Sequence, residues 1–237
     1  MSAELGALLT AALSIGFFHT LIGPDHYVPF VMMGKARNWS VPKTATVTFF
    51  CGLAHILSSA VLGLVGIFFG VALHKLVRIE SIRGNLAAWA LIAFGLAYGI
   101  WSLKKVLKNR SHEHGHLHED GSEHAHAHVH SRGHAHLHPG TDSSAFTPWV
   151  LFTIFIFGPC EPLIPLLMFP AAKNSLAGMI LVTAVFGAAT ILTMLGMVLL
   201  SVYGFRLLPF RALEKYSGVI AGAVIFLTGM AIQFLGL

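Results

Sequence analysis

Gly23-Pro24-Asp25-His26-Tyr27-Val28-Pro29 interrupts one long apolar stretch, and 135 residues later Gly158-Pro159-Cys160-Glu161-Pro162-Leu163-Ile164-Pro165 interrupts another. Each breaks a helix-forming run with Gly-Pro and sets two adjacent metal-capable side chains just after the break. Proline removes a backbone donor and clashes with the preceding turn, so both runs should be broken helices. Unwound backbone at membrane depth survives only where it is buried or lines a wet cavity, and ionisable side chains there are costly. The two segments therefore predict a site rather than packing.

The surrounding composition says that the apolar company is a membrane. The chain is 55% hydrophobic and 11% charged, whereas soluble domains carry about 25% charged residues. Its mean hydropathy is +0.74. Glu4 stands where a signal peptide would be basic, and no small-x-small cleavage site precedes Gly23, so the first helix is expected to stay. Cys51 and Cys160, both in apolar segments, make no disulfide framework. Cys51 reads as a small buried hydrophobe, and Cys160, beside the second break, as a candidate ligand. The net charge of +5 comes with no basic stripe interleaved with aromatics, so nucleic acid is not an expected partner.

Six apolar stretches reach the roughly 20 residues a bilayer requires: 5–33, 44–73, 85–104, 147–171, 175–203 and 213–236. The loops after the first, third and fifth hold Lys35, Arg37, Lys43, Lys104, Lys105, Lys108, Arg110, Arg132, Arg206, Arg211 and Lys215. The other side holds Lys75, Arg78, Arg83 and Lys173. An excess of basic residues marks the cytoplasmic side, which puts both termini outside. The expected location is the cytoplasmic membrane of a bacterium or archaeon.

The chain also reads as a duplication. Phe50-Cys51-Gly52-Leu53-Ala54-His55 resembles Phe186-Gly187-Ala188-Ala189-Thr190, with Gly52 on Gly187 and His55 opposite Thr190. Phe94-Gly95-Leu96-Ala97 similarly faces Thr228-Gly229-Met230-Ala231. The expected fold is all-α and polytopic: six transmembrane helices in two inverted three-helix repeats, 1–104 and 147–237, with broken first and fourth helices. Interrupted helices in corresponding positions of inverted repeats point to a transport site near the midplane.

The candidate metal ligands of that site are His19, Asp25, His26, His55, Cys160 and Glu161. Imidazole, carboxylate and thiolate together suit a borderline dication such as nickel, cobalt or zinc, and suit sodium or a sugar poorly. Glu161 has a second reading as a proton carrier. Thr190 and Thr193 read as hydroxyls bonded back to their own helix. Met32, Met33 and Met168 hint at copper but more often fill packing gaps.

Between the third and fourth stretches lies a polar insertion, 105–146. It holds His112, His114, His116 and His118, then His124, His126, His128 and His130, then His134, His136 and His138. This low-complexity tract lacks the apolar residues to build a core and is expected to be a disordered cytoplasmic loop. Its imidazoles form a multi-site sponge for nickel, cobalt, zinc or copper, with a pH-sensing linker as the competing reading.

His19, five intervening residues and Asp25-His26, preceded by Gly23-Pro24, resemble the first-helix signature of bacterial nickel/cobalt transporters (the NicO family). That signature has four residues between histidine and Asp-His, one fewer than this chain. Gly-Pro-Asp-His is similar to the UreH-like membrane proteins of the same LysE-type superfamily, and a histidine-rich loop in this position resembles the nickel/cobalt efflux members. The resemblance implies a six- or seven-span transporter of nickel or cobalt, with His19, Asp25 and His26 in contact with the ion. Gly158-Pro159-Cys160 with Pro162 and Pro165 resembles the CcdA and DsbD membrane domains, which pass thiol reducing equivalents between two proline-flanked cysteines. Here Asp25 replaces the first of those cysteines.

Transport of a divalent metal, rather than catalysis, is thus the leading expectation. The cation is substrate, and no tightly bound cofactor is expected. The bilayer, a second copy of the chain or a metallochaperone are the expected partners. A thiol–disulfide electron carrier using Cys51 and Cys160, and a membrane metal sensor or metallochaperone scaffold, are the alternatives.

Overall fold

The computed structural model describes residues 3–108, 112–117, 123–128, 146–158, 160–173, 175–207 and 211–236. Its helices are α1 (Ala3–Ile22), α2 (Val28–Ala36), α3 (Val41–Phe68), α4 (Leu73–Lys108), α5 (Phe146–Phe157), α6 (Leu163–Ala172), α7 (Leu176–Leu207) and α8 (Ser217–Leu235). Five helical segments, 3–22, 41–68, 73–108, 176–205 and 214–235, are long and apolar enough to cross a membrane. Large apolar side chains such as Phe17, Phe18, Leu192 and Phe234 stand exposed on their outer faces. Exposed apolar surface on that scale belongs against lipid, so the chain is an integral membrane protein whose apolar part is all helical.

The first expected span divides at the predicted place. The last bond of α1 runs from the Gly23 N–H to the His19 carbonyl, and a short 3-10 turn, Pro24–His26, follows. Gly23 itself is extended, with φ −75° and ψ 102°. Pro29 then occupies the first turn of α2, where its missing N–H costs nothing. The fourth expected span likewise becomes two short helices, α5 and α6, with turn residues between them. Neither α5 nor α6 alone has the length of a crossing.

Two boundaries differ from the sequence reading. The third helix begins at Leu73, not 85, so Lys75, Arg78 and Arg83 are helical rather than loop residues. Their charges depress local hydropathy, but no proline interrupts the stretch, and Glu80 and Arg83 pair in the interior. The polar insertion, expected to be disordered, contains an antiparallel strand pair, β1 (His112–Leu117) and β2 (Glu123–His128). His112 lies opposite His128, His114 opposite His126, and His116 opposite His124. The alternating His-x-His pattern has the period of a strand, which lets backbone pairing replace hydration. His118, His130, His134, His136 and His138 lie outside the described residues.

Helix packing depends on glycines. A Cβ on Gly95 would collide with the backbone of Phe226, and one on Gly222 with the backbone of Gly99. One on Gly229 would sit 2.9 Å from the Ile92 nitrogen and 3.1 Å from the Ala88 carbonyl. As residue number falls along α4, its neighbours on α8 rise, so the two helices lie antiparallel at close backbone approach. Gly52 of α3 meets Ile191 and Met194 of α7, and Gly187 meets Ile56, again in opposite senses. Two buried clusters fill the interior. One is built around Phe30, Met33, Cys51 and Phe155, the other around Ile56, Cys160, Leu163 and Phe186. Met33 and Cys51 are thus packing residues.

Candidate metal centre

The first break brings together what an unbroken helix would separate. His19 and His26 are seven residues apart, roughly 10 Å of rise in a straight helix. With the chain turned at Gly23-Pro24, their ring centroids are 4.8 Å apart. His55, from the middle of α3, stacks edge-on against His26 at 5.2 Å. Each of the three offers one nitrogen, and these nitrogens lie within 4.8 Å of one another.

Their polarity is left unspent. His26 Nδ1 faces two acceptors, the Gly23 carbonyl at 3.2 Å and Asp25 Oδ1 at 3.0 Å. Two acceptors on one nitrogen place the ring proton there and leave the lone pair on Nε2. That Nε2, His19 Nε2 and both nitrogens of His55 are buried without a well-formed hydrogen bond. Buried polar atoms are nearly always paired, so four orphans in one cluster call for a ligand. Asp25 takes the orienting position behind His26 and stands outside the three-nitrogen group. Carboxylates in that place fix the ring and raise its basicity.

A cavity of about 510 Å³ opens beside the cluster, and His19, Asp25, His26 and Glu161 all line it. The two breaks therefore contribute one carboxylate each to a common space. At its far wall the Gln233 amide donates to Asn85 Oδ1 at 3.2 Å. Glycines let the breaks approach the rings: a Cβ on Gly23 would stand 2.6 Å from His26 Nδ1, and one on Gly158 3.1 Å from His55 Nδ1.

Cys160 goes elsewhere. It is fully buried, and its backbone N–H donates to Ser59 Oγ and Glu80 Oε2, both at 3.1 Å. Cys51 and Cys160 are free thiols in separate apolar clusters. Thr193 bonds back to the Ala189 carbonyl as expected, whereas the buried Thr190 hydroxyl, opposite His55 in the sequence alignment of the halves, has no partner.

Sequence reasoning missed the clamp on the second break. Arg83 Nη2 donates to Ser58 Oγ and the Ile156 carbonyl, each at 2.8 Å, and to the Gly158 carbonyl at 3.3 Å. Its Nη1 is paired with Glu80 Oε1, and Ser59 Oγ donates to Glu80 Oε2 at 3.2 Å. One buried ion pair thus satisfies two carbonyls and one N–H freed by the unwinding, a need the break itself creates. The available signal was Glu80 and Arg83 at i,i+3 among Ile79, Ile82 and Leu86, a charged pair in a helical apolar pattern.

No protein-family model, curated protein or solved structure matches the chain.

Proposed function

We propose that the protein carries a divalent transition-metal ion, nickel or cobalt, across a membrane through the three-histidine site. The observation that carries this reading is the set of unpartnered nitrogens on His19, His26 and His55 beside a cavity lined by Asp25 and Glu161. Ligands about 2.1 Å from a tetrahedral ion stand roughly 3.4 Å apart, so the three nitrogens need close by little more than 1 Å. Imidazole suits nickel, cobalt and zinc, and the two carboxylates offset the double charge. A site open on one side and short of a full ligand shell suits cargo that must leave again.

In this reading α1 with α2 and α5 with α6 each make one interrupted crossing, giving six passes in two inverted repeats. The glycine contacts support it. Gly95 meets positions three and seven residues before Gly229, and Gly229 meets those three and seven before Gly95. Gly52 meets the position four after Gly187, and Gly187 that four after Gly52. Reciprocity of that kind follows from a two-fold axis between antiparallel halves.

The test is metal flux into vesicles holding the purified protein and a metal-sensitive dye. His26→Ala and His55→Ala are expected to lower the rate of nickel or cobalt entry at least about tenfold, while Cys51→Ser leaves it unchanged. Native rates in both histidine variants would sink the reading. Loss of activity in Cys51→Ser alone would favour the thiol carrier instead.

A further inference from the structure

A second cavity, of about 270 Å³, lies where α2 ends, α4 nears its C-terminus and α8 begins. Arg37, Lys105 and Lys215 converge on it, with Tyr98, Trp101 and Ser102 between them. No carboxylate lines it, and among the described residues none pairs with these three cations. The Arg37 guanidinium is held over the Tyr98 ring at 5.5 Å and the Trp101 ring at 5.6 Å, and Lys105 Nζ also lies 5.6 Å from the Trp101 ring. Stacking of this kind fixes the guanidinium before any ligand arrives. Arg37 Nε is nevertheless buried with no hydrogen-bond partner.

A short 3-10 helix, Arg211–Tyr216, runs straight into α8, whose residues 217–219 form part of the cavity wall. Gly218 lets that first turn close on α4: a Cβ there would stand 2.6 Å from Ser102 Oγ. Three unpaired cations and the hydroxyls of Tyr98, Ser102 and Ser217 around one pocket are the complement of an oxyanion with several acceptor oxygens. Trp101 is 50% exposed at the end of a membrane-length helix, the level at which indole rings meet headgroups.

We infer that this cavity binds a phosphate ester, supplied by the headgroup of an anionic lipid. The site is separate from the histidine cluster and does not depend on the metal reading. Arg37 grips the phosphate by its fork, Lys105 and Lys215 neutralise it, and Trp101 packs along the glycerol. Zwitterionic lipid brings an ammonium group into the same cationic pocket and is disfavoured.

The purified protein in detergent is titrated with phosphatidylglycerol, phosphatidylcholine and inorganic phosphate, with bound lipid counted by intact-complex mass spectrometry. One phosphatidylglycerol per chain is expected, in about tenfold preference over phosphatidylcholine. Arg37→Gln and Lys215→Gln should each weaken it roughly fivefold, while Lys43→Gln, a basic residue outside the cavity, leaves it unchanged. The exposed Lys215 keeps the test alive where Arg37→Gln fails to fold. Competition by inorganic phosphate also supports the pocket and identifies free phosphate as a further source. Equal retention of the two lipids, or equal weakening by Lys43→Gln and Arg37→Gln, would overturn the assignment in favour of diffuse surface charge.

Discussion

Replacing Glu80 by glutamine tests what holds the second break in place. The Glu80 carboxylate is fully buried, bonded to Ser59 and to the Cys160 N–H, and paired with Arg83, which in turn caps the Ile156 and Gly158 carbonyls. Removing one member of a buried pair costs about 3–5 kcal/mol, because the other is left charged without a partner. The neutral amide retains one acceptor, so the lower end applies. About 3 kcal/mol is on the order of 100-fold in the equilibrium for opening the break. Cys160 is the built-in reporter, being fully buried beside the clamp. In a Cys51→Ser background the only other cysteine is gone, so reaction with a thiol-directed fluorophore follows exposure of Cys160 alone. Glu80→Gln is expected to accelerate labelling on the order of 100-fold below the melting temperature. Glu80→Leu with Arg83→Leu separates two contributions. If charge pairing alone matters, the apolar pair restores slow labelling; if capping of the unwound backbone matters, labelling stays fast, since stranded backbone groups cost about 1–3 kcal/mol each. A rate in Glu80→Gln within about threefold of the parent, less than 1 kcal/mol by the same conversion, would refute the clamp.

Asp25→Asn should lower nickel affinity about 10–100-fold at unchanged stoichiometry, because an amide orients His26 without raising its basicity; competition against a chelating dye measures it. Gly23→Ala is compatible with the backbone, given φ −75°, yet its Cβ falls on His26 and Asp25; metal affinity should drop at least about tenfold while the melting temperature moves little. Gly95→Val forces α4 from the α8 backbone and should destabilise the fold by about 1–3 kcal/mol or more, read as a lower melting temperature in detergent.

Both breaks were legible because their cause is local. Proline at residue 24 removes its own hydrogen bond whatever surrounds it, and glycine beside it supplies the extended joint. The third histidine of the cluster was legible only as a candidate, since His55 meets His26 through packing of α3 on the first break, a contact between residues 29 apart in sequence. The early start of α4 was not legible. Lys75, Arg78, Glu80 and Arg83 make residues 73–84 look like a loop to any measure that counts charge as solvent-seeking. What turns Glu80 and Arg83 inward is a set of orphaned backbone groups 73 to 80 residues away in sequence, and no window of local hydropathy contains both halves of that match. Cys160 shows a related limit: its neighbours in sequence suggested a ligand, whereas its backbone N–H bonds to Ser59 and Glu80, and it lies outside the three-histidine group.

The two breaks, alike in sequence, therefore do different work. The first presents ring nitrogens and an orienting carboxylate; the second is held by Glu80 and Arg83 and lends Glu161 to the shared cavity. The asymmetry extends to the long helices, where His55 on α3 belongs to the cluster while Thr190 on α7, opposite it in the sequence alignment, holds a buried unpartnered hydroxyl. All three residues of the nitrogen cluster thus lie in the first half of the chain. The second half faces the cluster through Glu161 across the cavity, through the Phe155 ring at 6.2 Å from that of His55, and through Gly158, where a Cβ would stand 3.1 Å from His55 Nδ1. Gly158 and Phe155 both reach the His55 ring, and the Arg83 guanidinium that caps the Gly158 carbonyl also caps Ile156. Clamp and cluster consequently meet at Gly158, whose carbonyl accepts from Arg83 and whose missing Cβ leaves room for the His55 ring.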